Sequence, residues 1–206
     1  MKHPVRRFRS LAVALKELER YVKEGQPLRT GRPSKAFRGM RPREIWANWL
    51  LCAAINGATG RDDLEFTTDP TGGDGIIWDK SNGHTWPTEH VFVPPVDEGV
   101  EANVEALIMA AIKAKNDKGA AAYAGGKTLV VFIDAGAGVW FPNRVLRGLP
   151  SPLHFDVVWL ISLHGVADDG GYVYNVVSLY WDQGNAPAWR VRITPSFDAW
   201  GVERVQ

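Results

Sequence analysis

Residues 67–94 read TTDPTGGDGIIWDKSNGHTWPTEHVFVP and carry the pattern that decides the fold. Asp74 follows a Gly-Gly turn and precedes an apolar run, and Glu89 lies in a second strand-like run. The dipeptide Asn82-Gly83 between the two runs favours a tight hairpin, because both central residues of such a turn need a positive φ. This hairpin would place the two acids together. Carboxylate oxygens at the ends of paired strands are ligands that hard divalent cations prefer.

Two almost wholly apolar runs follow this stretch, at residues 128–134 (TLVVFID) and 155–163 (FDVVWLISL). Such runs are typical of central parallel strands, which are buried on both faces. A helix is predicted over residues 98–116, and residues 172–181 and 189–193 resemble a closing antiparallel pair. The order of elements predicts the α/β class, with a mixed central sheet flanked by helices.

Two helices are predicted before the quoted stretch. The first begins after Ser10, a favourable N-cap residue, and ends at Gly25. The second covers residues 42–56 and is expected to end at Gly57. The segment between the helices is rich in Gly, Pro and basic residues, which indicates a linker or a mobile arm.

Composition excludes several classes of protein. The chain has 206 residues and a net charge of +1, and no apolar run approaches the length that spans a bilayer. The first ten residues lack the apolar core of a signal peptide, so a cytoplasmic location is expected. A single cysteine, Cys52, excludes an intramolecular disulfide and a cysteine-based zinc cluster.

Charge is distributed unevenly along the chain. Residues 1–43 hold 13 Lys and Arg against three Glu, a net charge of +10, whereas the remainder holds 11 basic and 20 acidic residues, a net charge of −9. We divide the chain into a basic N-terminal helix and arm, residues 1–41, and one α/β domain, residues 42–206. The arm either contacts a polyanion, neutralises the acidic body, or is a solvated charged segment. The candidate phosphate-binding residues are Arg6, Arg7, Arg9, Arg29, Arg32, Lys35 and Arg38.

The order of elements and the positions of the acids resemble the core of the PD-(D/E)XK nuclease superfamily. The resemblance covers roughly residues 42–165 and rests on Glu44 in the second helix, on GGDGII around Asp74 and on TEHV around Glu89. It implies a restriction-endonuclease-like fold. It also implies that Asp74 and Glu89 bind Mg²⁺ or Mn²⁺ with the backbone carbonyl of His90, and that Glu44 lies at the edge of the metal site. Such a metal would neutralise the scissile phosphate and lower the pKa of an attacking water.

One position departs from the family pattern. The family has a lysine two residues after the strand acid, where it stabilises charge in the transition state, and this chain has Val91 there. Some members of the superfamily carry this lysine on another element. Lys80 on the preceding strand completes the predicted catalytic set of Asp74, Glu89 and Glu44. The other candidate lysines are Lys113, Lys115 and Lys127.

Three functional hypotheses follow. The first is a metal-dependent nuclease that acts on nucleic acid, with DNA as the expected substrate; the resemblance also implies a homodimer as one arrangement. The second is a catalytically inactive module on the same fold that binds nucleic acid or a protein partner, which the absent lysine favours. The third is an unrelated α/β interaction protein in which Asp74 and its neighbours only form turns.

Overall fold

The chain forms one mixed sheet of eight strands with helices on both faces in the computed structural model, which describes residues 8–30, 32–34, 37, 39–69, 72–96, 103–134 and 139–206. The strands are β1 (Leu64–Thr67), β2 (Ile76–Asp79), β3 (His84–Val93), β4 (Thr128–Ile133), β5 (Val157–Val166), β6 (Tyr172–Ser178), β7 (Ala188–Ile193) and β8 (Trp200–Arg204). The helices are α1 (Leu11–Glu24), α2 (Gln26–Thr30), α3 (Pro42–Thr59), α4 (Val104–Asp117), α5 (Ala120–Ala124) and α6 (Pro142–Arg147). The predicted α/β class is confirmed.

Strand order in the sheet follows strand order in the chain, and the parallel pairs lie at its centre. β4 lies between β3 and β5 and is parallel to both, whereas the other neighbouring strands are antiparallel. Every residue of β4 is buried, which explains why its sequence shows no polar alternation. The predictions of central parallel strands and of an antiparallel β6–β7 pair are therefore confirmed.

β3 changes its pairing partner halfway along its length. Its first half pairs with β2 as far as Pro87, and its second half pairs with β4 from Thr88 onward. Two hydrogen bonds extend the β2 side slightly, from the Asp74 N–H to the Thr88 carbonyl at 3.2 Å and from the Thr88 N–H to the Gly75 carbonyl at 2.8 Å. Glu89, the next residue of β3, therefore lies at a junction between two parts of the sheet.

Two hydrophobic cores hold the helices on the sheet. One lies between the sheet and helices α1 and α3, and the other lies under α4 and α6. α1 buries an apolar stripe that includes Leu15 and Leu18, and the Leu11 carbonyl accepts a hydrogen bond from the Trp49 indole of α3 at 2.8 Å. The basic N-terminal helix therefore shares its core with the α/β domain. No helix of the described residues combines the length and apolarity needed to cross a membrane.

Helix boundaries agree with the predictions in part. Ser10 caps α1 through its hydroxyl, and Gly25 ends that helix, as predicted. The prediction that α3 stops at Gly57 is wrong, because α3 ends at Thr59 and Gly60 supplies the left-handed cap. A Cβ at Gly57 would overlap Val202, so this glycine allows β8 to approach the helix. α4 begins at Val104, directly after its N-cap Asn103. The predicted start at residue 98 lies outside the described residues.

Candidate active site

Asp74 and Glu89 meet where β3 changes its pairing partner: Asp74 precedes β2, and Glu89 lies on β3. The Asp74 carboxylate accepts a hydrogen bond from the His90 backbone N–H at 2.7 Å, so it lies beside the peptide that follows Glu89. Because β2 no longer pairs with β3 at this position, a side chain takes the place of a ladder acceptor. The hairpin between the two strands thus places both acids at one point of the sheet.

Asn48 of α3 fixes the backbone around Asp74. Its side-chain N–H donates to the Asp74 carbonyl at 3.2 Å. Its side-chain oxygen accepts from the Thr88 hydroxyl at 3.0 Å and lies 3.1 Å from Nε2 of His90. That oxygen is an acceptor only, so Nε2 of His90 carries the proton.

The imidazole of His90 serves the packing between β3 and α3. Burial, together with the positive charges of Lys115 and Arg43, lowers the pKa of His90 to about 3. The ring is therefore neutral, and it lies on the α3 face of β3 while Glu89 contacts residues of α4 and α5 on the other face. Only the backbone carbonyl of His90 is left for the metal role that the resemblance implies.

Glu89 is enclosed by two lysines and a tyrosine. Its Oε1 accepts from the Lys127 ammonium at 2.8 Å, and its Oε2 accepts from Lys115 at 3.3 Å and from the Tyr123 hydroxyl. The side chain is 9% exposed. Burial raises the pKa of Glu89, but the hydrogen bonds from Lys127 and Tyr123 and the charges of both lysines lower it by more, so the net shift is downward. Glu89 is therefore an ionised carboxylate.

Asp74 has fewer charge partners. Burial raises its pKa, and the negative charges of Glu44 and Glu89 raise it further, against the lowering effects of the His90 N–H and the Lys115 ammonium. Its Oδ1 accepts no hydrogen bond from the described residues. Asp74 is thus a partly buried carboxylate whose Oδ1 stays open toward the part of the chain that the structure describes.

Glu44 lies at the start of α3, near Asp74. It is 4% exposed, and its two oxygens accept from the Arg41 backbone N–H at 3.0 Å and from the Arg41 guanidinium at 2.7 Å. The first of these bonds is half of a capping box. Glu44 therefore stabilises the first turn of α3 while its charge acts on Asp74.

The candidate lysines divide into two groups. Lys80 pairs with Glu65 of β1 at 3.2 Å and follows Asp74 by six residues, about 20 Å along an extended strand. Lys113 pairs with Asp117 on its own helix. Lys115 and Lys127 contact Glu89, as described above. The structure therefore places Lys115 and Lys127 beside Glu89, and it pairs Lys80 with Glu65 instead.

The donor chemistry of this site fits a hard divalent cation. Asp74, Glu89 and the His90 carbonyl supply oxygen atoms, which Mg²⁺ and Mn²⁺ prefer. Among the described residues, none donates to Oδ1 of Asp74, whereas both oxygens of Glu89 are already hydrogen-bonded. Within the part of the chain that the structure describes, no group of three or more His, Cys, Asp or Glu side chains is arranged to hold a metal. Two carboxylates and a carbonyl are therefore the available ligands.

The predicted phosphate-binding arginines of the N-terminal segment are paired in part. Arg29 of α2 makes two hydrogen bonds to Asp134 after β4, at 2.7 and 3.3 Å. Arg9 pairs with Glu17. For Arg29 this agrees with the interpretation that the basic segment neutralises the acidic body. Arg32 is exposed, and the remaining candidates lie outside the described residues: Arg6, Arg7, Lys35 and Arg38.

Gly75 is required by the geometry next to Asp74. Its φ is +147°, and a Cβ at this position would overlap the Asn48 amide and lie 3.0 Å from the Thr88 hydroxyl oxygen. We expect Gly75→Ala to lower the free energy of unfolding by about 2 kcal/mol, because the backbone would be strained and the Asn48 hydrogen bonds displaced. Urea unfolding measures this change.

Gly201→Ala is the matched control, since a Cβ at Gly201 meets no atom within 4 Å and its φ lies outside the left-handed range. This variant should be at least as stable as the wild type. Equal stability of both alanine variants would show that the Asn48 network tolerates a side chain at Gly75.

Tyr123 and Asn48 are site residues that the sequence did not identify. Tyr123 lies in an Ala- and Gly-rich segment with no motif, and α5 presents it to Glu89 only in the folded chain. The spacing of Asn48 places it one turn after Glu44 on α3, which is the one signal that links it to the site. Comparison of the chain with protein-family models and with curated proteins gives no match.

Proposed function

We propose that the protein is a metal-dependent hydrolase of nucleic-acid phosphodiester bonds, with DNA as its expected substrate and Mg²⁺ or Mn²⁺ as its cofactor. The observation that carries the proposal is the meeting of Asp74 and Glu89 at the β3 junction with two lysine ammonium groups on Glu89. Support also comes from the order of elements, in which a helix with a buried Glu44 precedes three antiparallel strands, a helix and a parallel strand. A restriction-endonuclease-like core has this order.

Each group of the site has a distinct part in the proposed reaction. A bound divalent cation would neutralise charge on the scissile phosphate and lower the pKa of a water. Asp74 and Glu89 would hold the cation with the His90 carbonyl, while Asn48 keeps the Asp74 backbone in place. Lys115 offers ammonium hydrogens next to both acids, where negative charge develops in the transition state. In this scheme Lys115 takes the part of the lysine that the sequence lacks at Val91.

The proposal is tested by cleavage assays on plasmid, linear and single-stranded DNA and on RNA, with Mg²⁺ or Mn²⁺. Asp74→Asn is expected to lower the rate about 100-fold or more, since it removes a charged ligand. The folded protein raises the pKa of Asp74, so ionised Asp74 opposes folding at neutral pH. The variant should therefore unfold at the same urea concentration as the wild type or a higher one.

Asp79→Asn is the matched control. Asp79 ends β2 away from Asp74 and accepts hydrogen bonds from Ser81 and Asn82 in the hairpin turn. Its replacement should leave cleavage within about twofold of the wild type, because Asp79 lies outside the proposed metal site. A wild-type protein that cleaves none of these substrates with either metal would refute the hydrolase.

One observation favours a second candidate, a catalytically inactive nuclease-fold module that binds nucleic acid or a protein partner. Both oxygens of Glu89 are hydrogen-bonded to protein groups, and two of these groups are ammonium ions whose positive charge opposes a cation on the same carboxylate. This candidate predicts binding of nucleic acid or a protein partner without cleavage, and it predicts no effect of Mg²⁺ on the temperature of unfolding. A Mg²⁺-dependent rise in that temperature which Asp74→Asn removes would favour the hydrolase.

A further inference from the structure

Three lysines surround the ring of Tyr123 beside the acid site. The ammonium groups of Lys127, Lys118 and Lys115 lie 4.5, 4.8 and 5.8 Å from the ring centroid. Lys115 lies in the last turn of α4, Lys118 is the cap residue that follows this helix, and Lys127 directly precedes β4. The Tyr123 hydroxyl donates to Glu89 at the same time. This lysine cluster therefore adjoins the proposed catalytic site through one side chain.

The lysine cluster has more positive charge than its acidic neighbours balance. Lys115 and Lys127 share the single carboxylate of Glu89, and their side chains are only 20% and 26% exposed. Lys118 is exposed and has no acidic partner within ion-pair distance among the described residues. Asp74 acts on Lys115 only at longer range. Surplus positive charge at partly buried positions is unfavourable without a counter-ion, so the cluster is suited to an anion.

We propose that the lysine cluster is a subsite for a backbone phosphate of a polynucleotide, next to the phosphate that is cleaved. The Lys118 ammonium lies over the ring of Tyr123, and the hydroxyl of this tyrosine donates to Glu89. A phosphate bound by Lys118 would therefore belong to a nucleotide that neighbours the scissile bond. A lysine ammonium binds a phosphate oxygen as a compact charge with three donors. This proposal rests on the proposed function, because it assumes that a polynucleotide reaches Glu89.

Binding of a fluorescein-labelled DNA oligonucleotide, single-stranded and duplex, tests the subsite by fluorescence anisotropy in EDTA, where no cleavage interferes. Lys118→Ala should weaken binding about 3-fold at moderate salt and reduce the slope of log K against log salt by about 0.7 to 0.9, the contribution of one phosphate contact. Lys118→Glu should weaken binding further. Lys113→Ala is the matched control, because Lys113 is exposed on α4, the helix that Lys118 caps, and pairs with Asp117.

The outcomes separate this subsite from the hydrolase. Equal affinity and equal salt slope for wild type and Lys118→Ala overturn the subsite, and so does a wild type that binds no oligonucleotide. A protein that cleaves DNA without any effect of Lys118→Ala keeps the hydrolase and loses the subsite. Salt-dependent binding that Lys118→Ala weakens, without cleavage in Mg²⁺ or Mn²⁺, keeps the lysine cluster as a site for a backbone phosphate and refutes the hydrolase.

Discussion

Glu89→Gln is expected to lower the free energy of unfolding by about 3 kcal/mol and to slow nucleic-acid cleavage by about 1,000-fold or more. The stability effect arises because Glu89 is the acidic partner of both Lys115 and Lys127, whose side chains are only 20% and 26% exposed. A neutral amide leaves two ammonium groups together without their counter-ion. The loss of cleavage arises because the same carboxylate is a proposed metal ligand. Urea unfolding and initial cleavage rates measure the two effects.

A second substitution separates the two roles of Glu89. Adding Lys127→Gln to Glu89→Gln removes one unpaired charge and should recover part of the lost stability, but it should recover no cleavage. Glu65→Gln is the control, because Glu65 lies on β1 and pairs with one lysine, Lys80, at 3.2 Å. Its cost should stay below about 1 kcal/mol. A Glu89→Gln variant as stable as the wild type would show that the lysines do not depend on this carboxylate.

The effect of Glu89 on stability has a defined pH dependence. The folded state lowers its pKa, so the stabilisation is fully present above the unfolded value of about 4.3 and is lost as pH falls through the folded value. The gap between wild type and Glu89→Gln should therefore narrow below about pH 4. The effect of pH through Asp74 has the opposite sign, because the folded state raises the pKa of Asp74 and its protonation therefore favours folding. The ionised forms of the two acids thus have opposite effects on the stability of the folded protein, although both acids belong to one proposed metal site.

The sequence predicts those parts of the fold that depend on local pattern. The wholly apolar runs of β4 and β5 indicate burial on both faces, and the structure has them as central parallel strands. The hairpin dipeptide Asn82-Gly83 predicts that β2 and β3 pair, and this pairing places Asp74 next to the His90 peptide. In both cases, the preferences of a few adjacent residues determine the outcome.

Contacts between distant segments were not predictable in the same way. The choice among the candidate lysines depends on how α4 and α5 pack over β3, and the predicted catalytic lysine, Lys80 on the preceding strand, pairs with Glu65 instead. Gly57 looks like a helix stop, but its role is to admit Val202 of β8, a strand the sequence did not reveal. The residues around Tyr123 in the sequence form no recognisable motif. Such features become visible only when elements far apart in the chain meet.

Lys115→Met is expected to reduce cleavage more than stability and Lys127→Met to reduce stability more than cleavage, although both lysines contact Glu89. Lys115 lies within electrostatic range of both acids, because its charge lowers the pKa of Asp74 as well as that of Glu89. Lys127 makes the shorter bond, 2.8 Å against 3.3 Å, and acts on Glu89. We therefore expect Lys115→Met to slow cleavage about 100-fold to 1,000-fold at a cost of about 1 kcal/mol in stability. Lys127→Met should slow cleavage less than about 10-fold and cost about 2 kcal/mol.

Methionine keeps most of the apolar stem of each lysine, so the comparison isolates the ammonium group. Single-turnover cleavage rates measure the chemical step without product release, and urea unfolding measures the stability of each variant. A larger loss of cleavage in Lys127→Met would transfer the role of the lysine missing at Val91 to Lys127. Full cleavage in both variants would show that the two lysines only neutralise Glu89, and that the charge developing on the phosphate is stabilised by other groups. Because Lys115 contacts Glu89 and its charge also acts on Asp74, the proposed hydrolase assigns to Lys115 the role of the lysine missing at Val91.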